Sequence, residues 1–261
     1  MNNGERQTAL VTGSSRGVGL AIAKQLARQG YNLVLCARNA QALEKVTLQL
    51  KEQTDVRIIC IAVDLSSSDG PHQIYNQIKR DGIDIDVLVN NAGLGVYGKF
   101  ASTGLDSELA MMQVNMQAIT VLTKLFLRSM LQRKQGHIIN VASLAGYQPC
   151  GPKMAVYFAT KNYALSFSKA LSVELRNTGV FVTAVSSGPI ATDFEKNTGV
   201  GNTMLYKLPK LSADQVAKAA CAALESKRSV VIPGVLSKLL AFAGELHPRR
   251  IALEVNRLLL K

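Results

Sequence analysis

Tyr157 and Lys161 stand four positions apart in the stretch AVYFATK. On a helix that spacing places both on one face, with Cβ atoms about 5–6 Å apart. A free phenol titrates near pH ~10 and exchanges its proton poorly at neutrality. A cation within roughly 4–6 Å favours the phenolate and lowers that value. A tyrosine so placed could give a proton to a ketone oxygen or take one from an alcohol. Ser143, directly after the apolar run HIINVA, offers a hydroxyl that could hold the same oxygen still. Each residue alone has a plainer reading. Tyr and Lys at this spacing often decorate a helix surface, and a Ser after a strand often caps a turn. The elements that position them decide between the two.

Short apolar runs rich in β-branched residues alternate with longer helical patterns. The runs are Thr8–Thr12, Tyr31–Cys36, Val56–Val63, Asp86–Asn90, His137–Ala142, Val180–Ser186 and Ser229–Pro233. They lack strict polar alternation, as strands buried on both faces do. Helices are expected at Gly17–Gln29, Ala40–Gln53, Asp69–Asp81, about Glu108–Arg133, Ala155–Asn177 and Ala213–Glu225. This alternation predicts an α/β fold: one doubly wound parallel sheet of about seven strands, helices on both faces, in a single domain over residues 1–261. Ligands in such sheets bind outside the carboxyl ends of the strands. The residues after each strand therefore carry the functional expectations.

The first strand runs into TGSSRGVG, Thr12 to Gly19. Gly13 suits the sharp turn, and Gly17 and Gly19 permit close backbone approach, so the N–H groups and dipole of the helix start can face an anion. The spacing is G-x-x-x-G-x-G, not G-x-G-x-x-G, with the same physics. No phosphate loop of the G-x-x-x-x-G-K-[ST] type is present. After the second strand the chain reads Leu35-Cys36-Ala37-Arg38-Asn39, with no acid to hold a ribose 2′-hydroxyl. Arg38, with Arg16 in the glycine loop, instead suits a 2′-phosphate through charge-assisted contacts. The expected cofactor is NADP(H) over NAD(H).

Taken in order, these motifs resemble the short-chain dehydrogenase/reductase family over nearly the whole chain. TGSSRGVG is similar to the family's TGxxxGxG cofactor loop, which implies cofactor contacts at Gly13, Ser15, Arg16, Gly17, Val18 and Gly19. Asp64-Leu65 resembles the adenine-contacting pair. Asn90–Gly93 (NNAG) resembles the segment that stabilises the sheet and lines the cofactor through Asn91, Ala92 and Gly93. Asn115 stands where the family has its helix-borne catalytic Asn. Ser143, Tyr157 and Lys161 match the catalytic Ser and YxxxK. Gly188, Ile190 and Thr192 fall in the segment that touches the nicotinamide end. The resemblance implies a Rossmann fold and hydride transfer between nicotinamide and a ketone or secondary alcohol, of the carbonyl reductase or 3-oxoacyl reductase kind. It also implies that Lys161 binds the nicotinamide ribose and that Asn115 helps hold a water in a proton relay. The departures are Ser187, where the family has a proline, and a Ser143–Tyr157 gap one residue longer than usual, the extra residue falling at Cys150-Gly151.

Composition fits this reading. A chain of 261 residues that is 48% hydrophobic can bury a substantial core. The net charge of +12 is spread without a polybasic run and aromatics are only 5%, so nucleic acid is not an expected partner. The four cysteines fit no zinc or disulfide pattern, the three histidines are scattered, and no metal site is expected. Cys36 and Cys60 are expected to pack as small hydrophobes. The N-terminus lacks a long apolar stretch and no run reaches membrane-span length, so a cytoplasmic location is expected. Residues 193–212 read as a substrate lid, with apolar walls from Met204, Leu205 and Tyr206 and from Leu94–Phe100. Residues 235–261 read as an apolar, basic helical segment packed on the domain or on a neighbouring subunit, in preference to a membrane surface. By the resemblance, a homodimer or homotetramer is expected. The expected partner is a small-molecule carbonyl or alcohol. A catalytically silent cofactor-binding regulator and a membrane-surface lipid or acyl ketone reductase are the alternatives.

Overall fold

The computed structural model describes residues 6–246 and 249–260. Its seven strands are β1 (Thr8–Thr12), β2 (Asn32–Ala37), β3 (Ile58–Ala62), β4 (Val87–Asn90), β5 (Gly136–Val141), β6 (Val180–Val185) and β7 (Val230–Val231). They form one parallel sheet in the order β3-β2-β1-β4-β5-β6-β7. The chain builds outward from β1 through β2 to β3, then crosses back to place β4 on the other side of β1. The carboxyl ends of β1 and β4 thus part company and leave a crevice between them.

Period-two alternation on β1 explains the layering. Ala9 and Val11 face α1 (Gly17–Arg28), α2 (Ala40–Lys51) and α9 (Ala213–Ser226), joining Ile22, Leu26, Leu43, Val216 and Ala220. Leu10 faces the other way, toward α3 (Gly70–Arg80) and α5 (Ile119–Arg133), joining Ile74, Leu122 and Phe126. Burial of a side chain such as Phe126, 2% exposed, contributes roughly 1.5–3 kcal/mol. A polar ladder ties the sheet to α6 (Ala155–Glu174). Asn90 Nδ2 donates to Asn140 Oδ1 at 2.9 Å, and Asn140 Nδ2 donates to Ser168 Oγ at 2.9 Å. All three are buried, so the bonds act where a lost partner is costly.

The expected helix at Glu108–Arg133 is in fact three pieces. α4 (Leu105–Met112) passes into a π-helical turn, Gln113–Ala118, before α5. No Gly or Pro marks that turn, so the sequence carries no breaker to reveal it. The last strand is also shorter than expected, two residues in place of five. Cys36 is buried as expected, whereas Cys60 is exposed on the edge strand β3, its sulfur 2.8 Å from Thr47 Oγ1. An edge strand has a neighbour on one side only, and the chain leaves this one partly uncovered.

Candidate active site

The strand ends open into one cavity of about 910 Å³. Its floor begins at the glycine loop. Gly13 and Gly17 have φ +65° and +58°, a region that favours glycine. A Cβ on Gly13 would stand 2.9 Å from Ala92 Cα. Arg16 precedes α1 in extended conformation, no side chain caps the helix, and its first turn holds no acid. Its leading N–H groups are therefore left for an anion. Asn39 caps α2 and Ser212 with Gln215 caps α9, while α3 to α6 start, like α1, without a side-chain cap.

Asn91 fixes this loop from behind. Its Nδ2 donates to the carbonyls of Thr12 at 2.9 Å and Gly13 at 3.2 Å. Thr12 Oγ1 accepts from the N–H groups of Asn91 and Ala92 and donates to Val89 O. Gly19 belongs to the same lock and does not line the cavity. A Cβ there would lie 2.3 Å from both Asn91 Nδ2 and Gly13 O. Gly19 thus has a packing role in the loop.

Gly13, Ser15, Arg16, Gly17 and Val18 line one end of the cavity, with Arg38 after β2 and Asp64-Leu65 after β3. Arg16 and Arg38 are exposed there. Burial works to raise the Asp64 carboxyl pKa, but hydrogen bonds from Ser66 and the charge of Arg38 bring it below the usual range. Asn91, Ala92 and Gly93 line the middle, and Gly188, Ile190 and Thr192 after β6 stand opposite. These residues fit a dinucleotide: a glycine cradle that side chains would fill, open helix N–H groups, and two cations at the far end without an acid at the end of β2.

Ser143, Tyr157 and Lys161 also line the cavity, brought together by the end of β5 and the first turns of α6. The Ser143 hydroxyl accepts from Ala145 N at 3.2 Å and stands near enough to the Tyr157 phenol to favour its ionised form. Lys161 is 6% exposed, and its Nζ donates to Val141 O at 3.0 Å. That nitrogen lies 5.9 Å from the centre of the Tyr157 ring. The electrostatics differ from the expectation of a lowered tyrosine pKa. Burial pushes the Tyr157 phenol up to about 12, and the Ser143 hydroxyl offsets only part of this. Burial lowers Lys161 to about 8. Desolvation outweighs the attraction of the lysine, because both groups sit in the same apolar surroundings. The phenol is therefore fully protonated at neutral pH.

Asn115 sits in the π-helical turn, fully buried, and does not line the cavity. Its amide is spent on structure. Oδ1 accepts from Leu94 N at 2.9 Å, and Nδ2 donates to Leu94 O at 2.9 Å and Thr160 Oγ1 at 3.0 Å. It anchors the loop after β4 to α6 at Thr160, the residue before Lys161. Gly93 bridges the two sites, since a Cβ there would stand 3.5 Å from both Asn115 Oδ1 and Lys161 Nζ. A π turn commonly marks a functional position.

A match to the model of the short chain dehydrogenase family covers residues 7–202. The chain belongs to this family. It is 36% identical over 194 residues to a human very-long-chain 3-oxoacyl-CoA reductase, covering 72% of this chain but only 61% of that one. A short-chain dehydrogenase from Sphingobium yanoikuyae, solved with NADPH, matches with a TM-score of 0.82 at 27% identity, over 95% of each chain. A bulky-bulky ketone specific alcohol dehydrogenase from Comamonas testosteroni matches with a TM-score of 0.75 at 28% identity, over 96% of this chain and 91% of that one. The chain is thus an oxidoreductase of this family, with the Rossmann fold and with NADPH-bound structural neighbours.

The far end of the cavity was only partly expected. Leu205 and Tyr206 of α8 (Met204–Lys207) line it as expected, but Met204 faces solvent. From Leu94–Phe100, Leu94 and Gly95 line the cavity, while Phe100 is exposed and Tyr97 turns to the chain end. Phe194, the first residue of α7 (Phe194–Thr198), packs on Tyr157 with ring centres 5.5 Å apart. Met154 and Phe158 were missed, although Phe158 neighbours Tyr157 in sequence.

The roof comes from the two C-terminal helices, α10 (Val235–Leu246) and α11 (Arg249–Leu259), through Leu240, Ala243, Val255 and Leu259. These helices pack on the chain's own sheet domain, not away from it. Gln148 Nε2 donates to Leu240 O at 3.1 Å, Asn256 Nδ2 to Cys150 O at 2.9 Å, and Tyr97 Oη to Leu260 O at 2.9 Å. The lengthened loop at Cys150-Gly151 is thus the segment that α11 grips. The apolar periodicity of 235–261 was the available signal for the roof.

Proposed function

We propose that the chain is an NADP(H)-dependent oxidoreductase that transfers a hydride between nicotinamide and a ketone or secondary alcohol, with Tyr157 as general acid/base. The observation that carries this reading is the meeting of Ser143, Tyr157 and Lys161 beside the glycine cradle. When bound, the reduced cofactor supplies the hydride. Tyr157 presents a proton to the carbonyl oxygen, and Ser143 hydrogen-bonds that oxygen and holds it in place. Lys161 and Asn115 act as positioning residues behind the phenol. Arg16 and Arg38 support NADP(H) over NAD(H), because both suit a 2′-phosphate.

The substrate end supports a bulky, apolar ketone. Phe158, Phe194, Leu205, Leu240, Val255 and Leu259 wall it, and the charged side chains on the cavity lining among the described residues are Arg16, Arg38, Asp64, Lys161 and Asp193. A substrate acid would therefore meet no dedicated clamp. The Comamonas testosteroni enzyme, specific for bulky-bulky ketones, fits the same picture.

The test is NADPH oxidation with a panel of aliphatic, aromatic, dicarbonyl and acyl-thioester ketones, run beside Tyr157→Phe. Turnover is expected with apolar ketones and is expected to fall about 10²–10⁴-fold in the variant, with NADPH binding kept. Unchanged turnover in Tyr157→Phe would remove the tyrosine from its role. Tight NADPH binding with no turnover on any ketone would favour the regulator.

A further inference from the structure

The wall of the substrate end carries a second phenol besides Tyr157. Tyr206 of α8 lines the cavity and packs, like Tyr157, on a cluster that includes Met154, Phe158 and Val200. A Leu or Phe would serve a purely apolar wall as well. Two other tyrosines have partners for their hydroxyls: Tyr97 Oη donates to Leu260 O at 2.9 Å, and Tyr163 Oη meets Thr120 Oγ1 at 2.6 Å. Gln148 and Asn256, polar groups on the same lining, are tied to Leu240 O and Cys150 O. No group among the described residues hydrogen-bonds the Tyr206 hydroxyl. A tyrosine hydroxyl withdrawn from water normally finds a partner. The partner this one lacks in the protein can come from what fills the cavity.

The ring sits on a segment that is itself anchored. Val200 is fully buried in the cluster, and Thr203 Oγ1 donates to Val200 O at 2.8 Å just before α8. The neck of the segment is closed by Ala191 N donating to Leu211 O and Leu211 N donating to Pro189 O, both at 3.0 Å. Lys210, paired with Glu195, holds its Nζ 5.6 Å from the centre of the Tyr206 ring. A donor already fixed in place loses little freedom when a ligand uses it. Burial, with Tyr157 and Glu195 nearby, keeps the Tyr206 pKa well above the ordinary tyrosine value, so the group is an O–H donor at neutral pH. Its surroundings disfavour an anionic acceptor. Asp193 lines the cavity, Glu195 acts on the phenol itself, and Lys210 is already engaged by Glu195. An uncharged carbonyl oxygen suits the site.

We infer that Tyr206 is a specificity-determining residue, donating a hydrogen bond to a second, uncharged carbonyl oxygen of the substrate while Tyr157 serves the reacting one. The inference rests on the reductase reading above and narrows it, from ketones in general to ketones that carry another carbonyl. In a wall that is otherwise mostly apolar, one placed donor is enough to set orientation.

The experiment compares the parent with Tyr206→Phe, which keeps the ring and its packing and removes only the donor. Both are assayed with NADPH on a series of diketones with increasing spacing between the carbonyls, each beside the monoketone of matching length. The diketone whose spacing fits is expected to lose about tenfold more in kcat/KM than its monoketone, with the loss in KM. Reading each loss against the monoketone cancels the inherent reactivity of the two compounds. A loss of the same size on every ketone, a loss confined to kcat, or no loss at all would overturn the inference. So would a parent that reduces monoketones and rejects every diketone. A parent silent on the whole series would instead remove the reductase reading, and the inference with it.

Discussion

The two ends of the cavity are built by different means. The cofactor end is made of backbone, pinned by a few part-buried hydrogen bonds over a short stretch of structure: Thr12, Gly13, Gly19, Asn91 and Ala92. The substrate end is made of side chains from segments far apart in sequence, among them Phe158, Phe194, Leu205 and Val255. One end has almost no room to adjust, while the other can repack. The contrast fits the chemistry: a fixed cofactor must be held in one pose, while a wall of apolar side chains can be altered to suit a substrate.

Glycines at the two ends give the sharpest way to break this contrast. Gly19→Ala puts a Cβ 2.3 Å from the Gly13 carbonyl, and that backbone has nowhere to go. We expect a loss of about 1–3 kcal/mol in stability and at least tenfold in NADPH affinity, read by thermal unfolding and fluorescence titration. Gly95→Ala puts a Cβ 2.5 Å from the tip of the Phe194 ring, a side chain on the short helix α7. Here the expected loss of stability stays below about 1.5 kcal/mol, and the change appears in KM for the ketone. Equal losses of NADPH affinity in both variants would dissolve the distinction.

A smaller effect is expected from the polar ties. Asn91→Ala removes two donors from the glycine loop, with an expected cost of about 1–3 kcal/mol and weaker NADPH binding. Asn256→Ala removes the tie from α11 to Cys150 O. It is expected to cost about 1 kcal/mol, to leave NADPH binding intact and to raise KM for bulky ketones. NADPH titration of the two variants side by side decides whether the ties serve separate ends.

The same division governs what could be read from sequence. The parallel sheet and the glycine turn were legible because each depends on local signals: apolar strands, glycines at a strand-to-helix turn, an Arg in place of an acid after β2. The meeting of Ser143 with Tyr157 and Lys161 was legible because topology brings β5 and α6 together. Three things were not. The π turn that buries Asn115 has no breaker to announce it. The packing role of Gly19 depends on the Asn91 side chain, some seventy residues on. The roof depends on which face of an amphipathic helix turns inward, and periodicity alone leaves that open.

Lys161 joins the two ends and supplies the finest test. Its pKa falls from an ordinary 10.5 to about 8 because it is charged in an apolar place, a difference of roughly 3 kcal/mol. The sign follows from proton counting. Between pH 8 and 10.5 the unfolded chain holds a proton on this lysine that the folded chain has lost, so stability rises with pH in that window. Below pH 8 the folded protein carries the whole cost of the buried cation. Lys161→Met carries none of it, although it gives up the hydrogen bond to Val141 O. The variant is expected to gain most relative to the parent at pH 7, with the gap shrinking as pH rises from about 8 toward 10.5, followed by thermal unfolding across that range. A gap that does not change with pH would mean that Lys161 is hydrated in the free protein. The protonated phenol of Tyr157, whose raised pKa has the same cause of burial, would then need a different account.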